Sequence, residues 1–255
     1  MSAARSPTSP PDRPDLRIAT AGWSIPRAVA EAFPAEGSGL SRYASRFNAV
    51  EINTTFYRPH RQATYARWRE ATPPDFRFAV KLPKVITHVA RLADADHLIA
   101  TFRQEAAVLG DKLGALLVQL PPSLAFSAPV AEWFFSALRK QWPQAIVCEP
   151  RHTTWFEDSA EALLVAYQIA RVAADPAPYP AAAEPGGWPG LAYWRLHGSP
   201  HMYYSPYPDA YLTALKLKLD TAPPRPTWCV FDNTAAGAAA ADALRFQAIM
   251  QGRGE

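Results

Sequence analysis

A chain of 255 residues, 49% hydrophobic and 19% charged, is long enough to bury a large core, either as one α/β barrel or as two small domains. Its formal net charge of +3 gives no chain-wide basic field for gathering nucleic acid, although a local patch is compatible with it. No stretch approaches the ~18 apolar residues of a membrane span, and the N-terminus lacks the apolar run of a signal peptide. These features favour a globular, enzyme-sized protein of the cytoplasm with no membrane partner.

The N-terminus and the cysteines agree with that view. Residues 1–15, "MSAARSPTSPPDRPD", predict a disordered tail, and residues 16–250 predict a single domain. Cys148 and Cys229 each lie within an apolar run, and their spacing matches no zinc or redox motif. We therefore expect packed thiols in a reducing compartment.

Short apolar segments and amphipathic segments alternate along the chain. Eight apolar segments predict strands over residues 16–24, 48–53, 76–82, 114–120, 144–150, 170–175, 191–198 and 227–233. Between most of them, apolar residues at three-four spacing predict helices over residues 40–47, 62–71, 94–110, 129–141, 159–168, 208–219 and 235–250.

Strand and helix together recur about every 30 residues, as in a βα unit. Eight such units predict an α/β fold, namely a single-domain (β/α)8 TIM-type barrel. Residues 176–190, rich in proline and glycine, cannot form a normal helix, so the sixth helix is predicted to be missing or replaced by a Pro/Gly-rich loop. The alternative, a doubly wound open sheet, would favour a glycine-rich turn after the first strand, where only Gly22 is present.

Every predicted strand carries a polar or aromatic residue near its carboxyl end, whereas the strand starts are mostly apolar or small. In a (β/α)8 barrel the active site forms at these ends. The residues are Trp23 and Ser24, Glu51 and Asn53, Lys81, Gln119, Glu149 and Arg151, Asp175, Arg195 and His197, and Asp232 and Asn233.

Three pairs in this set are two residues apart, so both members of each pair point to one face of the strand. The pairs are Glu51 with Asn53, Glu149 with Arg151, and Arg195 with His197. A strand-end charge often does no more than meet water where the chain leaves the sheet. Burying two glutamates, two arginines and a lysine at these ends without pairing or function would be costly, so the set predicts a common cavity.

The same segments resemble the YecE-like family, domain of unknown function 72. The resemblance rests on "GWS" (22–24), "VEINTTFY" (50–57), "FAVKLPKVITH" (78–88), "QLPPS" (119–123), "EPRHTTW" (149–155), "YWRLHG" (193–198) and "FDNTAAGAAAADAL" (231–244). It implies a TIM-barrel-like fold with no established reaction. The chain departs from the family pattern in "IPRA" after Trp23 and Ser24, at Pro150, and at Asp242.

Four strand-end residues are candidates for catalysis. Glu51 and Glu149 could act as acid and base if their environments separate their pKa values. Lys81 could act as a base or form a Schiff base if burial lowers its pKa, although binding an anion is the simpler role. His197 is a candidate for proton transfer. The alternative for the glutamates is ion pairing, Glu51 with Lys81 and Glu149 with Arg151 or Arg195.

Further residues are predicted to bind the substrate, with arginines for an anion and aromatic rings for stacking. They are Trp23, Asn53, Tyr57, His88, Gln119, Arg151, Asp175, Arg195, Tyr204 and Asn233. No cofactor is predicted. A divalent metal site could draw on His88, His197, Glu51, Glu149 and Asp175. No ligand-spacing motif in the sequence supports it, so the metal stays an open alternative.

Three functions stay open at this point. The first is an enzyme that uses acid–base chemistry on a small anionic, phosphorylated or carboxylated, or sugar-like substrate. The second is a nucleic-acid-binding or processing protein resembling apurinic-endonuclease-type barrels, for which residues 58–91 offer eight Lys or Arg against two acids. The third is a non-catalytic small-ligand-binding protein. The oligomeric state is not predicted.

Overall fold

The computed structural model describes residues 15–253, in which strands and helices alternate. The strands are β1 (Leu16–Thr20), β2 (Ala49–Ile52), β3 (Arg77–Lys81), β4 (Leu113–Gln119), β5 (Ala145–Glu149), β6 (Ile169–Arg171), β7 (Ala173–Asp175), β8 (Gly186–Gly187), β9 (Ala192–Leu196) and β10 (Thr227–Phe231). The α-helices are α1 (Gly39–Ala44), α2 (Gln62–Glu70), α3 (Asp96–Ala106), α4 (Ala128–Gln141), α5 (Asp158–Ala166), α6 (Asp209–Thr221) and α7 (Ala238–Met250). The tail predicted over residues 1–15 lies, apart from Asp15, outside the described residues.

The strands form two sheets in which almost all neighbours are parallel. The six-stranded sheet has the order β2-β3-β4-β5-β6-β8, with only β8 antiparallel to its neighbour, and the four-stranded sheet has the order β1-β10-β9-β7. Val172 alone separates β6 from β7 along the chain, and a parallel bridge joins Ala21, after β1, to Glu51 of β2. The result is a mixed α/β, single-domain fold, consistent with a TIM-like arrangement.

The two faces of the strands pack in different environments. On β2, Val50 and Ile52 belong to the large core that packs under the helices, whereas Ala49 belongs to a second cluster made by the opposite faces of the strands. Since side chains alternate along a strand, Glu51 points the same way as Ala49. Small residues such as Ala19 and Ala79 line this second face, and the charged strand ends extend it.

The segment after β7 has the irregular form that its prolines and glycines predict. Among the described residues, no α-helix lies between Asp175 and Ala192; the segment contains only a 3-10 helix, Pro180–Ala183, and the two-residue strand β8. Proline fixes φ and lacks an N–H, so a longer helix is disfavoured here.

Several boundaries differ from the sequence prediction for local reasons. The first strand ends at Thr20, and Gly22 then adopts a φ of 93° that favours glycine. The helix predicted over residues 94–110 ends at Ala106 and continues as a 3-10 helix in which Gly110 has a φ of 56°. The loop after β3 contains a π-helix, Val85–Val89, that carries His88. Within residues 15–253, no helix is both long and apolar enough to cross a bilayer.

Candidate functional site

Arg195, on β9, holds three carboxylates from three other strands or their ends. Its Nη2 donates to Glu51 Oε1 at 2.7 Å and to Asp232 Oδ2 at 2.8 Å, its Nε donates to Glu51 Oε2 at 3.1 Å, and its Nη1 donates to Glu149 Oε2 at 2.6 Å. All four residues are almost completely buried. A planar guanidinium offers five N–H donors in a fixed fork, which suits this many partners. Tyr193, two residues earlier on the same face, adds a hydroxyl donor to Glu51 Oε2 at 2.9 Å.

Glu149, at the end of β5, accepts hydrogen bonds from several side chains besides Arg195. Its Oε1 accepts from Arg151 Nη2 at 2.9 Å, from Gln119 Nε2 at 3.2 Å and from His197 Nε2 at 3.2 Å. Burial by itself would raise the pKa of Glu149, but Arg195, His197 and Arg151 outweigh it and hold that pKa well below its ordinary value. Glu149 is therefore an ionised anchor in this arrangement, which argues against its acting as a general acid.

His197 lies between two carboxylates. Its Nδ1 is 3.0 Å from Asp232 Oδ2, and its Nε2 is 3.2 Å from Glu149 Oε1. Burial opposes the charged ring, yet Glu149 and Asp232 raise the pKa of His197 above its ordinary value. Because ionised carboxylates only accept hydrogen bonds, contacts at both nitrogens require the doubly protonated imidazolium. The ring thus acts as a cation fixed at both ends.

The charges in this group balance. We call the six residues the Arg195 cluster; the carboxylates are Glu51, Glu149 and Asp232, and the cations are Arg195, Arg151 and the imidazolium of His197. Three negative charges meet three positive ones, so the cluster has no charge left to neutralise a further cation.

Lys81, at the end of β3, is that further cation. Only 4% of the residue is exposed, yet no described carboxylate forms an ion pair with its ammonium group, which lies 4.2 Å from the centroid of the Phe56 ring. Burial and the charge of Arg195 lower the pKa of Lys81 to about 8, although Glu51, Glu149 and Asp232 partly oppose that shift. The predicted pairing of Glu51 with Lys81 is therefore wrong: Arg195 takes both oxygens of Glu51. The predicted pairing of Glu149 with Arg151 or Arg195 is present with both arginines.

His88 and Phe56 form the rim next to Lys81. The two rings meet edge to face at 4.9 Å, and His88 Nδ1 is 2.8 Å from Thr87 Oγ1. Burial, Lys81, Arg151 and Lys84 all lower the pKa of His88, so this half-buried ring is neutral near pH 7. Lys81 and Arg151 thus both act electrostatically on the His88 ring.

A pocket of about 140 Å³ opens beside the Arg195 cluster. Its polar lining is Glu149, Arg151 and His197, and Arg151 keeps 23% of its side chain exposed while donating to Tyr203 Oη at 3.1 Å. The remaining lining is apolar: Pro150, Ala174, Pro176, Ala177, Pro178 and Met202. The arrangement offers an exposed cation in a small, mostly apolar recess.

The other predicted substrate-binding residues divide into two groups. Asn53 directly follows β2, and its buried Oδ1 makes no hydrogen bond to the described residues. Trp23 packs edge to face on Trp68, while Tyr57 and Tyr204 are 67% and 60% exposed. These three have no contact with the Arg195 cluster that would support a role in binding.

Asp175 and Asn233 are held by contacts outside the cluster. Asp175 Oδ1 accepts from Tyr207 Oη at 2.9 Å. Asn233 donates to Ser205 O at 2.9 Å and to the buried Asp242 at 2.7 Å. These contacts support the loop after β9. The predicted binding roles of Asp175 and Asn233 stay predictions.

Tyr193 and Tyr203 were absent from the predicted catalytic and binding residues, and Asp232 was named only among the strand-end residues. Alternation would have found Asp232, because Val230 pairs with Arg195 in register and Asp232 shares the face of Val230, whereas Asn233 does not. Tyr193 is likewise two residues before Arg195. Tyr203 lies in a loop with a φ of 71°, and no periodicity indicates it.

The residues weighed for a metal are not gathered for one. Within the described part of the chain, no group of three or more His, Cys, Asp or Glu is arranged to hold an ion. Glu51 and Glu149 direct their oxygens at Arg195, whereas Asp175 and His88 have partners elsewhere.

Comparison with known proteins identifies related chains. A family model described as "Protein of unknown function DUF72" matches residues 17–255. The chain is 34% identical over 140 residues to the UPF0759 protein YecE of Escherichia coli, an alignment that covers 54% of this chain and 49% of the relative. It thus spans about half the length of that curated relative.

Solved structures show the same fold over most of the chain. The crystal structure of a DUF72 family protein from Thermotoga maritima is 25% identical with a TM-score of 0.75, covering 92% of this chain and 99% of that one. A DUF72 family protein from Enterococcus faecalis is 21% identical with a TM-score of 0.74, covering 93% of this chain and 95% of that one.

Proposed function

The chain belongs to the DUF72 family of proteins of unknown function. From the contacts and charges of the site, we propose that the protein is an enzyme that uses Lys81 for acid–base chemistry on a small anionic substrate. The observation that carries the proposal is the buried Lys81 ammonium, which forms no ion pair with any residue between 15 and 253 and stands beside a charge-balanced cluster. Such perturbed groups concentrate at functional sites.

We further propose that the two sheets close into a TIM-type barrel whose mouth is this site. The one-residue step from β6 to β7 and the bridge between Ala21 and Glu51 support closure at the two junctions. In barrels of this type the carboxyl ends of the strands carry the chemistry.

Lys81 is the group in the site best suited to take up a proton. With a pKa of about 8, it exchanges a proton near neutral pH, where an efficient base operates. Glu149 and Asp232 are ionised acceptors whose pKa values are lowered, and the ring of His197 already carries both protons. The roles of Glu149 and His197 in this proposal are to hold Arg195 and Arg151 in place.

An anionic substrate fits the charge of the site. The Arg195 cluster is balanced by itself, so the ammonium of Lys81 adds one uncompensated positive charge. Arg151 is the arginine of the pocket that retains exposure, and its fork suits a carboxylate or phosphate group. The pocket that Arg151 lines, of about 140 Å³, does not include Lys81 in its lining; its volume is below that of pockets for drug-sized ligands, which favours an anion of few atoms.

A nucleic-acid function has weaker support in the contacts. Two arginines of the basic stretch donate to the protein's own backbone or hydroxyl groups: Arg77 to the carbonyls of Pro74 and Phe76, and Arg91 to Ser123. A phosphate-binding groove would need such groups to be available.

Anion binding by the intact protein tests the proposal. Isothermal titration with phosphate, pyruvate and 3-phosphoglycerate should detect binding of at least one ligand by the wild type, and Arg151→Gln should weaken it about tenfold or more, as expected for a lost charged contact. Lys84→Gln, a change at an exposed lysine three residues after Lys81, is the matched control and should bind as the wild type does.

Turnover separates an enzyme from a ligand-binding protein. Exchange of a carbon-bound hydrogen of pyruvate or 3-phosphoglycerate for deuterium, followed by NMR in D2O, should occur with the wild type and be lost with Lys81→Met. Binding without exchange for every ligand that binds would support the non-catalytic alternative. Absence of binding to all three anions would overturn the proposal.

A further inference from the structure

We propose that Lys81 acts as a covalent nucleophile, forming an imine with the carbonyl group of a small anionic oxo compound such as a 2-oxo acid. The inference deepens the proposed function and rests on it, since it names the substrate class for the same site. It follows from the position of the amine, its surroundings, and the charged and titratable groups of the same site.

The backbone fixes the position of Lys81. Thr55 Oγ1 donates to Lys81 O at 2.6 Å and is 2.9 Å from Ile52 O, so one hydroxyl ties the end of β3 to the end of β2. The side chain extends from this fixed point over the Phe56 ring, 4.2 Å from its centroid. A nucleophile held on a strand end is positioned more sharply than one on a loop.

Burial together with a nearby positive charge suits a reactive amine. A lysine attacks a carbonyl only when its amine is neutral, and desolvation next to another cation favours that form. Burial and Arg195 supply these two conditions, and with a pKa of about 8 the neutral fraction at pH 7.5 is on the order of 100 times that of an ordinary lysine.

Two groups of the site suit the carboxylate and the proton transfers of an oxo acid. Arg151 supplies a partly exposed guanidinium for the carboxylate. His88 is neutral and half-buried, and it shares the Phe56 ring with Lys81, which makes it the group at the rim suited to pass protons. The resulting positive imine replaces the ammonium in the field of the same carboxylates, which already favour a cation at Lys81.

The step balances as a condensation. The Nζ lone pair forms a bond to the carbonyl carbon, the C=O π pair moves to the oxygen, and one proton passes from the nitrogen to that oxygen, which gives a neutral carbinolamine. The oxygen takes up a second proton, supplied by solvent, the C–O bond breaks, and the nitrogen lone pair forms the C=N bond as one water leaves. Amine, carbonyl compound and one proton are thus converted to the positive imine and water, with no oxidant or reductant.

Borohydride trapping on the full-length protein tests the inference. The protein is incubated with pyruvate, glyoxylate or acetaldehyde at pH 7.5 and reduced with sodium borohydride, and the adduct is located by peptide mass spectrometry. We expect the two oxo acids to label Lys81 about tenfold or more above Lys84, and acetaldehyde, which has no carboxylate, to label it less. Lys84→Arg should label as the wild type does, and Lys81→Arg should lose the adduct.

Access provides a second test. Since Lys81 is 4% exposed beneath Phe56, Phe56→Ala should increase the labelling rate several-fold. Retained circular dichroism in Lys81→Arg shows that its loss of labelling is not loss of fold. Equal labelling of Lys81 and Lys84, or no Lys81 adduct from any of the three probes in the wild type or in Phe56→Ala, would overturn the inference. Anion binding that persists without an adduct would refute the imine while leaving the proposed function standing.

Discussion

Arg195 and Lys81 are two buried cations at strand ends of the same site, and they differ in their ion pairing. Arg195 donates four hydrogen bonds to three carboxylates, whereas Lys81 forms no ion pair with the described residues and rests on an aromatic ring. Their pKa values accordingly move apart, that of Arg195 well above and that of Lys81 below its ordinary value.

The contrast distinguishes a residue that stabilises the site from a buried cation that forms no ion pair with residues 15–253. Breaking a buried ion pair leaves charges without partners, so a residue such as Arg195 is costly to replace. A buried cation without a partner costs stability from the start, and it is tolerated where it has a use. The pairing pattern therefore indicates a supporting role for Arg195, and in our proposal it makes Lys81 the reactive group.

The largest expected effect comes from Arg195→Met. The change leaves the buried carboxylates of Glu51, Glu149 and Asp232 without their shared donor, and we expect it to lower the free energy of unfolding by about 3 to 5 kcal/mol. Urea denaturation measures it. Arg151→Met, at a partly exposed arginine on the same Glu149, should cost about 1 kcal/mol. Equal costs for both variants would contradict the supporting role of Arg195.

Lys81→Met should act in the opposite direction. Because the pKa of Lys81 is lowered in the folded protein, the unfolded chain binds more protons between pH 8 and pH 10.5, and the stability of the wild type rises through that interval. Below pH 8 the penalty is on the order of 3 kcal/mol as an upper limit. Lys81→Met should therefore be more stable than the wild type at pH 7.

Unfolding free energies measured from pH 7 to pH 10 check this prediction. The advantage of Lys81→Met over the wild type should shrink as the pH rises. Lys84→Met, at an exposed lysine, should follow the wild type at every pH. A Lys81→Met variant that is less stable than the wild type at pH 7 would show that Lys81 has a favourable partner.

His197→Gln should show a smaller, pH-dependent loss. The pKa of His197 is raised in the folded protein, so its contribution to stability is complete below pH 6.5 and is lost as the pH rises through the folded value. We expect a cost of about 2 kcal/mol at pH 6 from the lost charged hydrogen bonds. Denaturation curves between pH 6 and pH 9 should show the gap to the wild type narrowing; a constant gap would argue against a folded imidazolium.

Tyr193→Phe should have the smallest effect. It removes one donor to Glu51 Oε2, which still accepts from Arg195, so we expect a cost of about 1 kcal/mol in urea. Tyr65→Phe is a matched control, because the buried Tyr65 hydroxyl has no hydrogen bond to the described residues and its removal should cost nothing. A larger loss in Tyr65→Phe than in Tyr193→Phe would contradict this assignment of the hydrogen bond.

Much of the fold follows from local patterns in the sequence. The alternation of apolar runs with amphipathic segments located the principal strands and helices, because burial periodicity is a local property. The proline- and glycine-rich segment after Asp175 predicted the loss of a helix for an equally local reason. Ends such as Thr20 and Ala106 depended on single φ values near Gly22 and Gly110 that periodicity does not encode.

The composition of the site was predicted better than its pairing. Two-residue spacing predicted that Arg195 and His197 point to one face, and both contact Glu149 and Asp232. The same rule applied to the last strand would have selected Asp232 instead of Asn233. Tyr203 required the tertiary structure, because a loop residue has no fixed face.

The sequence by itself determined which side chains stand at the carboxyl ends of the strands and which way they point, since both follow from the two-residue repeat of a strand. Only the tertiary structure decided that Glu51 pairs with Arg195, 144 residues away, and that Lys81 lies over Phe56 without an ion pair to the part of the chain that the structure describes. Partners across a sheet depend on strand order, on how the sheets meet and on side-chain reach, and the fork of an arginine satisfies three carboxylates where a single ammonium cannot.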